Sequence, residues 1–223
     1  MSMDVETKDC TALSDAELSE MADICSAGPA GFEIGLLSKH RDLWVLITQV
    51  RDNGKLQGFG FCTLERIGGT PCVLVGLLSV KHSSKRDTVL RGLMTEAYHR
   101  ALMAFPDEDV LVGTRLVSPS GFEAFRALAD IVPRPDHKAV GEERAWGRRL
   151  AKRFGVDAGY DEQTFRVKGA GSIVSHMDHE SLKPETIEPD VAAMFKGIKV
   201  NKGDCLIACG WAMTEDLLKL GKH

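Results

Sequence analysis

The densest set of reactive side chains in this 223-residue sequence lies in one short run, Val80, Lys81, His82, Ser83, Ser84, Lys85, Arg86, Asp87, Thr88, Val89 and Leu90. Three cations and the hydroxyls of Ser83 and Ser84 so close together can hold a phosphate by charge-assisted hydrogen bonds, and a helix starting here would add unpaired amides and the positive end of its dipole. His82 adds an imidazole whose ordinary pKa, about 6.5, suits a base or a phosphate contact; the plainer reading is a polar loop histidine.

Other candidates are more scattered. Ser118 and Ser120 can hold a substrate or a thiolate, or cap a helix; Tyr98 and His99 fall on a helical stripe, where a packed tyrosine with a satisfied hydroxyl is the ordinary case. Cys205 and Cys209 read as small buried hydrophobes, with no cationic neighbours to lower a thiol pKa. His176, Asp178 and His179 offer N and O donors without the helical spacing of a zinc motif, so no metal is expected. The basic run Arg144, Arg148, Arg149, Lys152, Arg153 is a solvated helix face or a dock for an acidic carrier protein.

The elements that must position these groups follow from pattern. TALSDAELSEMADIC carries Thr11 and Ser14 as N-cap candidates, with Leu13, Leu18, Met21 and Ile24 at helical intervals. DLWVLITQV and LQGFGFCTLER read as strands joined through Asn53-Gly54, the pair that a type I′ hairpin turn favours. CVLVGLLSV, almost wholly apolar, reads as a strand covered on both faces. A long helix follows over Val89, Leu90, Leu93, Met94, Ala97 and Leu102, then a strand at DVLVGTRLV and a short helix at SPSGFEAFRALADIV. GEERAWGRRLAKRFG is helical and basic, and the last expected strand is CLIACGWAM.

Composition narrows the function. With 43% hydrophobic and 27% charged residues the chain has an ordinary globular composition, and a formal charge of -4 argues against nucleic-acid binding. The polar, acidic N-terminus lacks a signal-peptide pattern and no window is long and apolar enough for a membrane span, so neither a membrane nor export is expected. Unpaired cysteine spacing fits reduced thiols, hence a cytoplasmic protein.

A helix, three antiparallel strands, a helix leaving the third, then strand and helix resembles the order of the GNAT family of acyl-CoA N-acyltransferases over roughly residues 43–132. The resemblance implies an α/β (α+β) fold, a mixed, largely antiparallel sheet flanked by helices with an appended C-terminal segment. It divides the chain into an acyltransferase-like domain, 1–154, and an extension, 155–223, that completes the sheet or forms a homodimer contact. It also implies that Val80, His82, Ser83, Ser84, Lys85, Arg86 and Thr88 surround the pyrophosphate of acetyl-CoA or another acyl-CoA. The family pattern at this loop asks for small residues where Thr88 and Leu90 stand, so side chains replace much of the backbone cradle. Catalytic candidates are Glu65, at the position of the family's usual base, with His82 and Ser118. The family's tyrosine acid is Phe125 here. The expected activity is acyl transfer from acyl-CoA, or an acyl carrier protein, to a small-molecule amine; the alternative is a catalytically inactive GNAT-like binding or interaction protein.

Overall fold

The computed structural model describes residues 3–28 and 31–220. In chain order the elements are β1 (Asp4–Asp9), α1 (Asp15–Cys25), α2 (Ile34–Leu43), β2 (Leu46–Asp52), β3 (Lys55–Ile67), β4 (Thr70–Val80), α3 (Arg86–Ala104), β5 (Val110–Leu116), a 3-10 turn (Pro119–Phe125), β6 (Ala129–Val132) and α4 (Gly141–Arg153). The remainder contributes β7 (Tyr160–Asp161), β8 (Arg166–Val167), β9 (Met177–Asp178), α5 (Pro189–Ala193), β10 (Cys205–Ala212) and α6 (Thr214–Leu220).

Local chemistry fixes the first elements where the sequence places them. Ser14 and Glu17 close a reciprocal capping box, Glu17 N to Ser14 Oγ at 3.3 Å and Ser14 N to Glu17 Oε2 at 2.9 Å, so α1 begins there and buries Leu18, Met21, Ile24 and Cys25. Asn53 and Gly54 both have positive φ, 51° and 76°, as the I′ hairpin between β2 and β3 requires. β2, β3 and β4 then pair antiparallel in sequence. β4 is buried along nearly its whole length, and α3 lays Val89, Leu90, Leu93, Met94 and Ala97 into the core.

The sheet runs β1-β2-β3-β4-β9-β5-β10-β8-β7, with β6 also on β10. β4 and β5 are parallel, whereas β10 pairs antiparallel with β5, from Leu206 opposite Leu116 to Ala212 opposite Val110. Residues 205–210 are buried, and Trp211 stands edge-on to Trp146 of α4 with ring centroids 6.1 Å apart.

Three local expectations change. The N-terminal run is an edge strand, β1, paired with β2 from Asp4–Arg51 to Asp9–Leu46; its charges and lack of a buried face suit a sheet edge and hide it from periodicity. α2 precedes β2, which starts at Leu46 because Asp42 and Leu43 end the helix. The expected short helix at 118–132 is the 3-10 turn followed by β6, whose Val132 lies opposite Cys209 of β10. Among the described residues no helix is long and apolar enough to cross a membrane.

Candidate functional site

Parallel strands that part at their carboxyl ends make the crevice in which α/β sheets usually bind ligands. β4 and β5 pair over Cys72–Leu74 and Leu111–Gly113, and Thr114 Oγ1 donates to Val75 O at 3.0 Å; beyond that they separate. The chain itself fills the opening. β9 is inserted between them, with Met177 opposite both Leu78 and Leu116, Asp178 opposite Ser79, and Leu78 N donating to His176 O at 3.3 Å.

The inserted segment is polar and buried: Ser175, His176, Asp178, His179 and Ser181 are each at most 6% exposed. Burial pushes the His176 imidazole down to about 4, against its hydrogen bond with Val174 O, and pushes the Asp178 carboxyl up, against the charge of His82 and the hydroxyl of Ser79. Gly28 packs directly on it: a Cβ there would lie 2.1 Å from Asp178 Oδ2, so a larger residue is accommodated only if the carboxyl shifts.

Two side chains that follow β4, Arg86 and His82, hold this segment, and Lys85 is paired elsewhere. Arg86 donates from Nε to Glu180 O at 2.6 Å and from its terminal nitrogens to Ser181 O at 2.9 Å and Ser83 O at 3.1 Å. His82 Nδ1 is 3.2 Å from Glu180 Oε2, and Lys85, at the N-cap of α3, pairs with Asp52 at 2.5 Å. Ser83 Oγ accepts the Lys85 amide at 3.2 Å, while Lys81 N donates to Gln57 O at 2.8 Å. Val80 and Leu90 are buried, and Ser84 and Thr88 are exposed at the start of α3. A second clasp comes from the 3-10 turn. Glu123 accepts from Ser181 Oγ at 2.5 Å and lies 2.7 Å from His179 Nε2; burial raises its carboxyl, but these two contacts prevail and lower it. Asp87, Glu123 and His179 present donor atoms within 4.8 Å of one another, a set with the chemistry of a partial metal site. Here it joins α3, the turn and the inserted segment.

Glu65 is not part of this end of the molecule. It lies opposite Cys72 at the start of β4, eight residues from Val80, which is roughly 26 Å of strand. Its carboxylate takes a bidentate pair from Arg153, 2.7 Å from Nε and 2.9 Å from the second nitrogen. Ser118, just past β5, shares the loop's end of the sheet with His82, but β9 stands between β4 and β5; Ser118 occupies the N-cap of the turn without a side-chain cap bond. Phe125 is fully buried, and the Tyr98 hydroxyl donates to Ala124 O at 3.2 Å, its pKa raised by burial. Cys205 and Cys209 are buried, with thiol pKa values pushed up to about 12 by burial, consistent with packing instead of nucleophilic chemistry.

Sequence reasoning missed Glu123, Glu180 and Arg115. Only Arg115 carried a signal, a charge within the apolar run DVLVGTRLV; it is 5% exposed in a strand buried at every position.

Three antiparallel strands, a helix leaving the third, a strand parallel to the third and flanking helices make a mixed, mostly antiparallel α/β fold, in the element order for which the sequence resembles the GNAT family. No family model matches the chain, and no curated protein matches its sequence. Solved structures similar to it include an aminoglycoside 6'-acetyltransferase type Ii (10% identity, 58% of this chain and 86% of that one, TM-score 0.43). Others are the ribosomal-protein-S18-alanine N-acetyltransferase of Escherichia coli (12%, 62% and 86%, 0.43) and an aminoglycoside N-acetyltransferase in complex with CoA (12%, 50% and 76%, 0.39). At such identities and scores, side-chain roles do not transfer from those chains to this one.

Proposed function

We propose that this chain is a binding protein on a GNAT-type frame that does not transfer acyl groups while its β4–β5 opening is filled. The observation that carries this reading is the pairing of Met177 and Asp178 into that opening. Supporting it, Arg86 and Lys85 are already paired, Glu65 is held by Arg153 at the far end of β4, and Phe125 offers no proton. The test is thiol release from acetyl-, octanoyl- and palmitoyl-CoA with a panel of primary amines, run beside thermal unfolding with free CoA. Neither thiol release above buffer nor a CoA-dependent rise in Tm is expected. Saturable release with any pair refutes the reading.

One observation favours a second reading, acyl transfer from acyl-CoA or an acyl carrier protein to an amine. The segment filling the opening carries His176, Asp178 and His179, groups costly to bury, so its withdrawal gives back hydration that an apolar plug would not. His82 and Ser118 would then share an open crevice, with Lys81 and Ser84 in the loop before α3 and Thr88 in its first turn for a phosphate. On this reading Arg86→Ala, which frees the segment, increases CoA affinity; on the first it leaves the protein indifferent to CoA.

A further inference from the structure

A cavity of about 400 Å³ opens on the sheet face covered by α2 and the end of α4, bounded on a third side by residues 173–175. Its size falls within the range of about 300–1,000 Å³ typical of small-molecule sites. The apolar part of the wall includes Leu36, Trp44, Phe154 and Ile173, and the cations are Lys39, Arg115, Lys152 and Arg153; no acidic side chain lines it. Arg153 is neutralised by Glu65.

Arg115 is the unusual member. Its guanidinium has no hydrogen-bond or ion-pair partner among the described residues, and its Nε is buried and unpaired. The guanidinium lies over the Phe154 ring, 4.6 Å from the centroid. No counter-charge faces it: burial, helped by Arg115's own charge, pushes both His40 and His176 down to about 4, burial pushes the Cys205 thiol up to about 12, and the one charged group felt by Arg115, Arg153, repels it. Burial lowers Arg115 itself to about 10, so it stays protonated. A second orphan lies in the same wall. The Ser175 hydroxyl engages His40 Nε2, leaving His40 Nδ1 buried without a partner. A buried cation without a counter-charge is among the costliest features a fold can retain, and ring contact offsets only part of that cost.

We propose that this cavity binds an organic carboxylate with an apolar body, its carboxylate meeting the Arg115 guanidinium and its body lying against Trp44, Phe154 and Ile173. One buried guanidinium supplies one charge and a planar donor fork, which match a carboxylate better than a dianionic phosphate. Lys39 and Lys152, exposed at the mouth, draw the anion in. Because Val174 and Ser175 of its wall lead directly into the inserted segment, the site rests on the reading in which the β4–β5 opening is filled, but it needs no acyl donor or CoA, so carboxylate binding and CoA-dependent turnover are scored separately.

The test is calorimetric titration and thermal unfolding of the whole chain with acetate, hexanoate, decanoate, phenylacetate and inorganic phosphate at constant ionic strength. Saturable binding that tightens from acetate to decanoate is expected, with none for phosphate. Arg115→Met removes binding at least 10-fold while leaving the ligand-free protein as heat-stable as before, since an isosteric apolar side chain relieves an unpaired buried charge. A guanidinium needed only for packing would instead lower Tm when replaced. Should that variant fail to fold, Lys39→Glu with Lys152→Glu changes only exposed groups and weakens binding several-fold. Absence of carboxylate binding overturns the proposal, as do phosphate binding as tight as decanoate, affinity that ignores chain length, or affinity unchanged in the variants.

Discussion

Arg86 is the strongest tie between α3 and the segment that fills the β4–β5 opening, so Arg86→Ala should loosen that segment before anything else. Two of its bonds cross to Glu180 O and Ser181 O, and a hydrogen bond made by a charged group contributes about 1.5–3 kcal/mol. Arg86 is half-buried, so water replaces part of this; a net loss of about 2–3 kcal/mol in the local opening free energy is the reasonable expectation. At about 1.4 kcal/mol per factor of ten, this is roughly 30- to 150-fold. The reporter is the Leu78 amide, which donates to His176 O and loses that partner when the segment withdraws. Native-state hydrogen exchange should therefore show Leu78 accelerating by that factor while amides between β2 and β3 stay protected. The reasoning fails if Leu78 exchange is unchanged, or if all core amides accelerate together, which would mean that the segment opens only with global unfolding.

Stability should fall with acid in a defined window. His40 and His176 have folded pKa values depressed from about 6.5 to about 4, so the unfolded chain binds more protons between those values; their contribution is complete above pH 6.5 and is lost as pH falls towards 4. Together they give a slope of up to about 2.7 kcal/mol per pH unit in urea unfolding, and His176→Gln should roughly halve it; an unchanged slope in that variant would remove His176 from the account. Gly28→Ala drives a methyl group against Asp178 and should cost about 1–3 kcal/mol by denaturant unfolding, whereas a shift below 0.5 kcal/mol would show that Asp178 yields freely.

What could be read from the sequence is what neighbours in the chain decide. The Ser14–Glu17 box, the Asn53-Gly54 turn, the apolar run of β4 and the stripe of α3 are local patterns, and the structure contains each of them. β9 has no such pattern. Two residues long, it is a strand only because Leu78, Ser79 and Leu116, remote in sequence, leave their edges open to it. For the same reason His82, Lys85 and Arg86 could be recognised as a polar cluster but not as one already paired, since Asp52, Glu180 and Ser181 lie far along the chain. Glu65 was placed by family likeness alone, and Arg153 claims it from a helix whose docking no periodicity reports. Arg115, missed from the sequence, is a charge in an apolar run, yet its lack of a counter-charge is a fact of three-dimensional surroundings.

The position of β10 has a consequence for synthesis. β5 is buried at all its positions, and its antiparallel partner is residues 205–212, nearly ninety positions later. At about 5–20 residues per second, a ribosome takes roughly 5–20 s to supply that partner. Through that interval the edge of β5 offers unpaired amides and valine side chains to any other strand within reach. An unpaired, apolar strand edge of this kind is a template for pairing with other chains, so the interval before residues 205–212 emerge is the stage of synthesis at which β5 is most exposed to aggregation.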